Sequence, residues 1–87
     1  MRERVSAEDR RLWTAYVASM DQALAATRGC WRVLGYQHDV YLGRWEARHS
    51  TPLGGGSGGT AGPFASPADA MRRCIAGNRA LVQSVRR

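Results

Sequence analysis

Apolar residues recur at helical spacing in two stretches of the chain. From Leu12 they fall at Leu12, Trp13, Tyr16, Val17, Met20, Ala23 and Leu24, an arc of about 140° at 100° per residue. This pattern predicts a helix over residues 7–28. Ser6 is a good N-cap, and Glu8 and Asp9 put negative charge at the positive end of the dipole. Gly29 supplies the stop. The opposite face carries Ala15, Ala18, Ser19, Gln22, Ala25 and Ala26, small enough for a second element to pack closely.

The second stretch is the last segment. Ser66-Pro67-Ala68-Asp69 gives an N-cap, a proline at the first helical position and an acidic residue three positions after the cap. Met71, Cys74, Ile75, Asn78, Leu81, Val82 and Val85 then share one arc, while Arg72, Arg73, Arg79, Arg86 and Arg87 occupy another. A helix is predicted over residues 67–86.

Between them, residues 30–49 read two ways. As a helix over 31–48, Trp31, Leu34, His38, Tyr41, Leu42 and Trp45 align in a narrow stripe. Gly35 and Gly43 each count against it by about 1 kcal/mol. As a β-hairpin at about 30–47, CWRVLGY and VYLGRWE flank Gln37-His38-Asp39. The aromatics and valines suit strands, but the turn lacks Asn-Gly or Asp-Gly and the alternation is poor. The helix is the preferred reading.

Residues 50–66 form a break, with seven Gly or Ser in the nine positions from Gly54 to Gly62. Such a stretch is flexible and buries nothing. It reads as a surface loop, although an engineered linker has the same composition. The expected fold is therefore all-α: one small three-helix domain, a helix hairpin plus a C-terminal amphipathic helix, with a long Gly-rich loop. The alternative is α+β, with a hairpin in the middle.

Composition changes this picture in two places. The 13 cationic residues are all Arg, and Ala, Gly, Arg and Pro total 39 of the 87 residues. A high-GC genome explains both, so neither arginine choice nor glycine content argues for a phosphate site. The net charge of +6 survives that discount and points to an acidic partner. Cys30 and Cys74 are expected to remain thiols in a reducing compartment and to act as small core residues. The charged start MRERVSAEDRR leads into no apolar stretch, so the expected compartment is the cytoplasm, or a host cell's interior if the chain is viral.

Candidate chemistry is sparse. His38-Asp39 and a Cys–His pairing suggest catalysis, but nothing signals the pocket or oxyanion site that it needs. Cys30, His38, His49 and Cys74 lack the close ligand spacing of structural zinc sites. The glycine run has no Gly-Lys-Ser/Thr ending. No cofactor and no metal are expected, and the chain reads as a non-enzyme.

The leading function is a protein-interaction module, such as a small adaptor, accessory subunit or inhibitor, meeting an acidic or apolar surface. Its expected contacts are Arg72, Arg73, Arg79 and Arg86, with Asn78 as a register-setting polar residue at a helix interface and Trp45 as an aromatic anchor. The alternative is a nucleic-acid-binding protein using the basic last helix. Self-association fits either. Membrane binding does not, because the last helix lacks bulky aromatic residues on its apolar face.

Overall fold

The structure, a computed structural model, describes residues 7–35, 43–50 and 59–86. The elements run α1 (Ala7–Thr27), β1 (Cys30–Gly35), β2 (Trp45–Ser50), β3 (Thr60–Phe64) and α2 (Pro67–Val85). The strands form one antiparallel sheet in the order β1-β2-β3. The fold is thus α+β, and the expectation of an all-α bundle is overturned.

The two terminal helices stand close to where the sequence puts them. Ser66 caps α2 by accepting the Asp69 N–H at 3.2 Å. Ser6 lies outside the described residues. The end of α1 differs in detail: Arg28, not Gly29, takes the left-handed position, with φ 67°. Thr27 helps to close that end, its Oγ1 donating to the Ala23 carbonyl (2.8 Å) and accepting from the Gly29 N–H (3.2 Å).

The middle of the chain is where the helical reading fails. Cys30–Gly35 pairs with Trp45–Ser50, with Trp31 opposite His49, Val33 opposite Ala47 and Gly35 opposite Trp45. These six residues turn one way, toward the helices, and tertiary burial of the β-branched and aromatic members outweighs the 3.6-residue stripe. The proposed turn at Gln37-His38-Asp39 lies outside the described residues. The Gly-rich stretch also yields an element, since β3 pairs with β2 through Trp45–Phe64, Ala47–Ala61 and Arg48–Thr60. One residue of β2, Glu46, there faces two of β3, a bulge at Gly62-Pro63. Gly62 sits at φ 133°, and a Cβ on it would lie 3.0 Å from the Trp45 carbonyl oxygen. Pro63 is tolerated because β3 is an edge strand and the bulge interrupts its ladder.

Both helices lie on one side of the sheet. Tyr16, Ala47, Cys74 and Ile75 form the buried centre, with Leu12, Trp31, Val33 and Phe64 packed around it. Glu8 approaches Arg72 and Ser19 meets Asn78, so α1 and α2 run in the same general direction. Small buried residues line their contact, Ser19 and Ala23 on α1 and Cys74 on α2, while Gly77 makes room for the Trp31 ring of β1. The free edge of β1 is closed by side chains. The Trp31 N–H donates to Asn78 Oδ1 at 2.6 Å, Asn78 Nδ2 donates to the Trp31 carbonyl at 3.3 Å, and the Val33 N–H donates to Tyr16 Oη at 2.9 Å.

Candidate functional site

Strand alternation sorts the sheet residues into two sets. Trp31, Val33, Trp45, Ala47, Ala61 and Phe64 turn toward the helices, and Arg32, Leu34, Glu46, Arg48 and Thr60 turn away. On the second face Arg32, Leu34, Arg48 and Thr60 are exposed, and Arg44 is exposed just ahead of β2. Arg32 and Arg48 are direct cross-strand partners. Glu46, 6% exposed, holds Arg48 through a 2.7 Å ion pair. Arg32 Nε donates to Cys30 Sγ at 3.5 Å, and that contact raises the Arg32 pKa further above its already high value. Two guanidiniums therefore stand on directly opposed positions of β1 and β2, and of the two only Arg48 is paired with a carboxylate among the described residues.

The arginines of α2 are engaged differently. Arg72 pairs with Asp69 at 3.1 Å and approaches Glu8 at 3.9 Å. The Arg73 guanidinium lies over the Trp31 ring, 4.7 Å from its centroid, a cation–π contact that ties α2 to β1. Arg79 and Arg86 are exposed and enter no ion pair among the described residues. Arg86 closes the helix, its N–H donating to the Gln83 and Val82 carbonyls at 3.2 Å. Arg87 lies outside the described residues.

Asn78 is wholly enclosed. The register it sets is internal, between α2, α1 and the β1 edge, so it meets no outside partner in the folded chain. Trp45 is half-buried and lines an apolar cleft of about 330 Å³ with Trp13, Tyr16, Val33, Pro67 and Met71. Trp13, expected in the core, is 58% exposed at the rim. Neither the sheet-face arginines nor the outward Trp13 was singled out from the sequence. The spacings Arg32–Leu34 and Glu46–Arg48 are the period-2 signal that carries the first.

Cys30 and Cys74 are free and buried. Burial pushes the Cys74 thiol up to about 12, against a small lowering by Arg73, so it stays protonated at neutral pH. Burial likewise raises Tyr16, partly opposed by the hydrogen bond from Val33. His49 packs against Trp31 with ring centroids 5.7 Å apart. His38 and Asp39 lie outside the described residues. Among the described residues no cluster of His, Cys, Asp or Glu could hold a metal ion, and no helix is long and apolar enough to cross a membrane. Family models, curated proteins and solved structures yield no match to this chain, so its geometry alone carries the functional reading.

Proposed function

We propose that the chain is a small nucleic-acid-binding module that meets the phosphate backbone with the sheet face that exposes Arg32, Leu34, Arg48 and Thr60. The observation that carries this reading is the cross-strand pair Arg32 and Arg48, exposed on that face with Arg44 nearby. Like charges directly opposite one another on a sheet are destabilising, with side chains about 5 Å apart. A phosphate group seated between them removes that repulsion and accepts from both guanidinium forks. The net charge of +6 adds long-range attraction for a polyanion. Stacking aromatics are absent from the described part of this face, and its arginines are assigned to phosphate, so the binding is to backbone and shape rather than to sequence.

The test is fluorescence anisotropy with a short labelled duplex across about 50 to 200 mM salt. Contacts from Arg32, Arg44 and Arg48 give a log–log salt slope of about −3. Reversing Arg32 and Arg48 to Glu is expected to flatten that slope by about 2. A slope insensitive to these reversals but lost on reversing Arg79 and Arg86 moves the contact to α2. No binding even at low salt removes the reading. In that case an acidic or apolar protein partner takes its place, favoured by the cleft that joins Trp13 to Trp45.

A further inference from the structure

The side of α1 opposite Tyr16, Ser19 and Ala23 carries a pattern of its own, exposed except at Val17, which is half-buried against the core. Arg10, Thr14, Val17 and Asp21 follow one another at steps of four, three and four, which keeps them in one stripe along the helix. Tyr16, Ser19 and Ala23, the buried residues of α1, lie on the other side. Trp13 and Ala18 flank the stripe, both exposed, and Trp13 leaves 58% of its surface in water. A large exposed aromatic beside small residues marks an interaction surface more than a solvated face. Trp13, Thr14, Val17, Ala18 and Asp21 enclose a shallow groove of about 320 Å³.

The charges at its ends say what fits there. Arg10 and Asp21 enter no ion pair among the described residues. They stand eleven positions apart, about 16 Å along the helix, and the stripe is symmetric about the midpoint between Ala15 and Tyr16. We propose that a second copy of this chain pairs here, its α1 antiparallel to the first. A two-fold axis through that midpoint sets each Arg10 level with Asp21 of the second copy. It sets each Thr14 level with the other Val17, and each Trp13 level with the other Ala18, over the groove. The surface is then self-complementary, as a two-fold interface must be. A parallel pairing would oppose Arg10 to Arg10 and Asp21 to Asp21. Antiparallel helices also bring opposite dipole ends together.

A contact made by one helix from each copy falls below the roughly 800 Å² per partner of a standard interface, and the +6 on each copy opposes association. The dimer is therefore weak and exchanges rapidly. It uses a face of the molecule separate from the sheet arginines, so it stands or falls independently of nucleic-acid binding.

Sedimentation equilibrium of the full chain at physiological salt, up to about 1 mM protein, reads the association constant. Arg10→Glu and Asp21→Arg each place like charges at both ends of the pair and are expected to weaken association about tenfold or more. The double variant restores both ion pairs in reversed sense and returns association to near the starting value. Net charge separates this from general repulsion: removing Arg10 and adding Glu takes +6 to +4, which by charge alone strengthens self-association. Trp13→Ala is expected to weaken it as well. All three sites are exposed, so helical circular dichroism should be unchanged in every variant. A chain that stays monomeric throughout the range, or a double variant as weak as the singles, overturns the proposal.

Discussion

Asn78 shows how much one side chain settles in a chain this small. Its carboxamide accepts from the Trp31 N–H and donates to the Trp31 carbonyl, the pair of bonds that a neighbouring strand would make to the same residue. Its second amide proton goes to Ser19, whose hydroxyl donates to the Tyr16 carbonyl. Asn78→Leu keeps similar volume but orphans two backbone groups and Ser19. Each buried unsatisfied group costs about 1–3 kcal/mol, so a loss of roughly 2–4 kcal/mol by urea denaturation is expected. A loss below about 1 kcal/mol would mean that water replaces the amide. Gly77, one position earlier, gives a sharper test because two effects oppose each other. Ala favours a helix interior by about 1 kcal/mol. A Cβ at Gly77, however, would lie 2.6 Å from the Trp31 indole atoms Cδ1 and Nε1. Those atoms sit near the base of the ring and cannot yield without moving Trp31 off Arg73. Overpacking costs about 1–3 kcal/mol, so Gly77→Ala should lower Tm despite the better helix former. A rise in Tm would show that Trp31 has room to turn.

Elements were legible in proportion to how far their pattern was local. Ser66-Pro67 and the apolar stripe fix α2 from sequence because capping and amphipathicity are properties of consecutive residues. The strands are different. In Cys30–Gly35 the exposed positions are Arg32 and Leu34, and the inward ones are Trp31, Val33 and Gly35. Burial alternates there while hydrophobicity does not, so period 2 is hidden. Thr60–Phe64 contains a Gly and a Pro inside a glycine-rich stretch, and its pairing rests on a bulge that only the partner strand explains. The sheet-face site was illegible for a related reason: Arg32 and Arg48 are sixteen positions apart and become neighbours through β1–β2 pairing alone. The arginines of α2 are legible because they cluster in consecutive turns, and two of them, Arg72 and Arg73, also contact Asp69 and Trp31 within the chain. The turn out of α1 offers a prediction at this scale. Arg28 holds a left-handed backbone that glycine adopts without strain. Arg28→Gly should stabilise by about 0.5–1 kcal/mol, a rise in Tm of a few degrees for a domain of this size. An unchanged or lower Tm would mean that the Arg28 side chain returns more than its backbone strain removes.

At the scale of the molecule, the buried core among the described residues is thin: Tyr16 and Ile75 are its largest apolar members, and Ala23, Ala47, Ala70, Cys30 and Cys74 fill much of the rest. With little apolar area to spare, stability is marginal, and the ionisation of a core group becomes visible in the global unfolding equilibrium. Cys74 and Tyr16 are such groups. Both are protonated in the fold, and burial is the first cause of both upward shifts. The unfolded thiol loses its proton near 9.0, whereas the folded one holds it to about 12. Between those values the native state binds more protons than the unfolded state, so stability falls as pH rises. Below about pH 8 neither state has ionised at these groups, and their contribution is constant. Tm is therefore expected to be flat with respect to Cys74 and Tyr16 from neutral pH to about pH 8, then to decline steadily through pH 9 to 11. Cys74→Ala lowers Tm at neutral pH by leaving a small cavity beside Ile75 and Tyr16. Its alkaline decline should be shallower, because only the Tyr16 contribution remains and that begins nearer pH 10. The comparison is read from thermal melts of both proteins in matched buffers under reducing conditions. If the two curves fall in parallel above pH 9, the Cys74 thiol reaches water in the native state, and the packing of α1 on α2 around it is looser than the geometry described above.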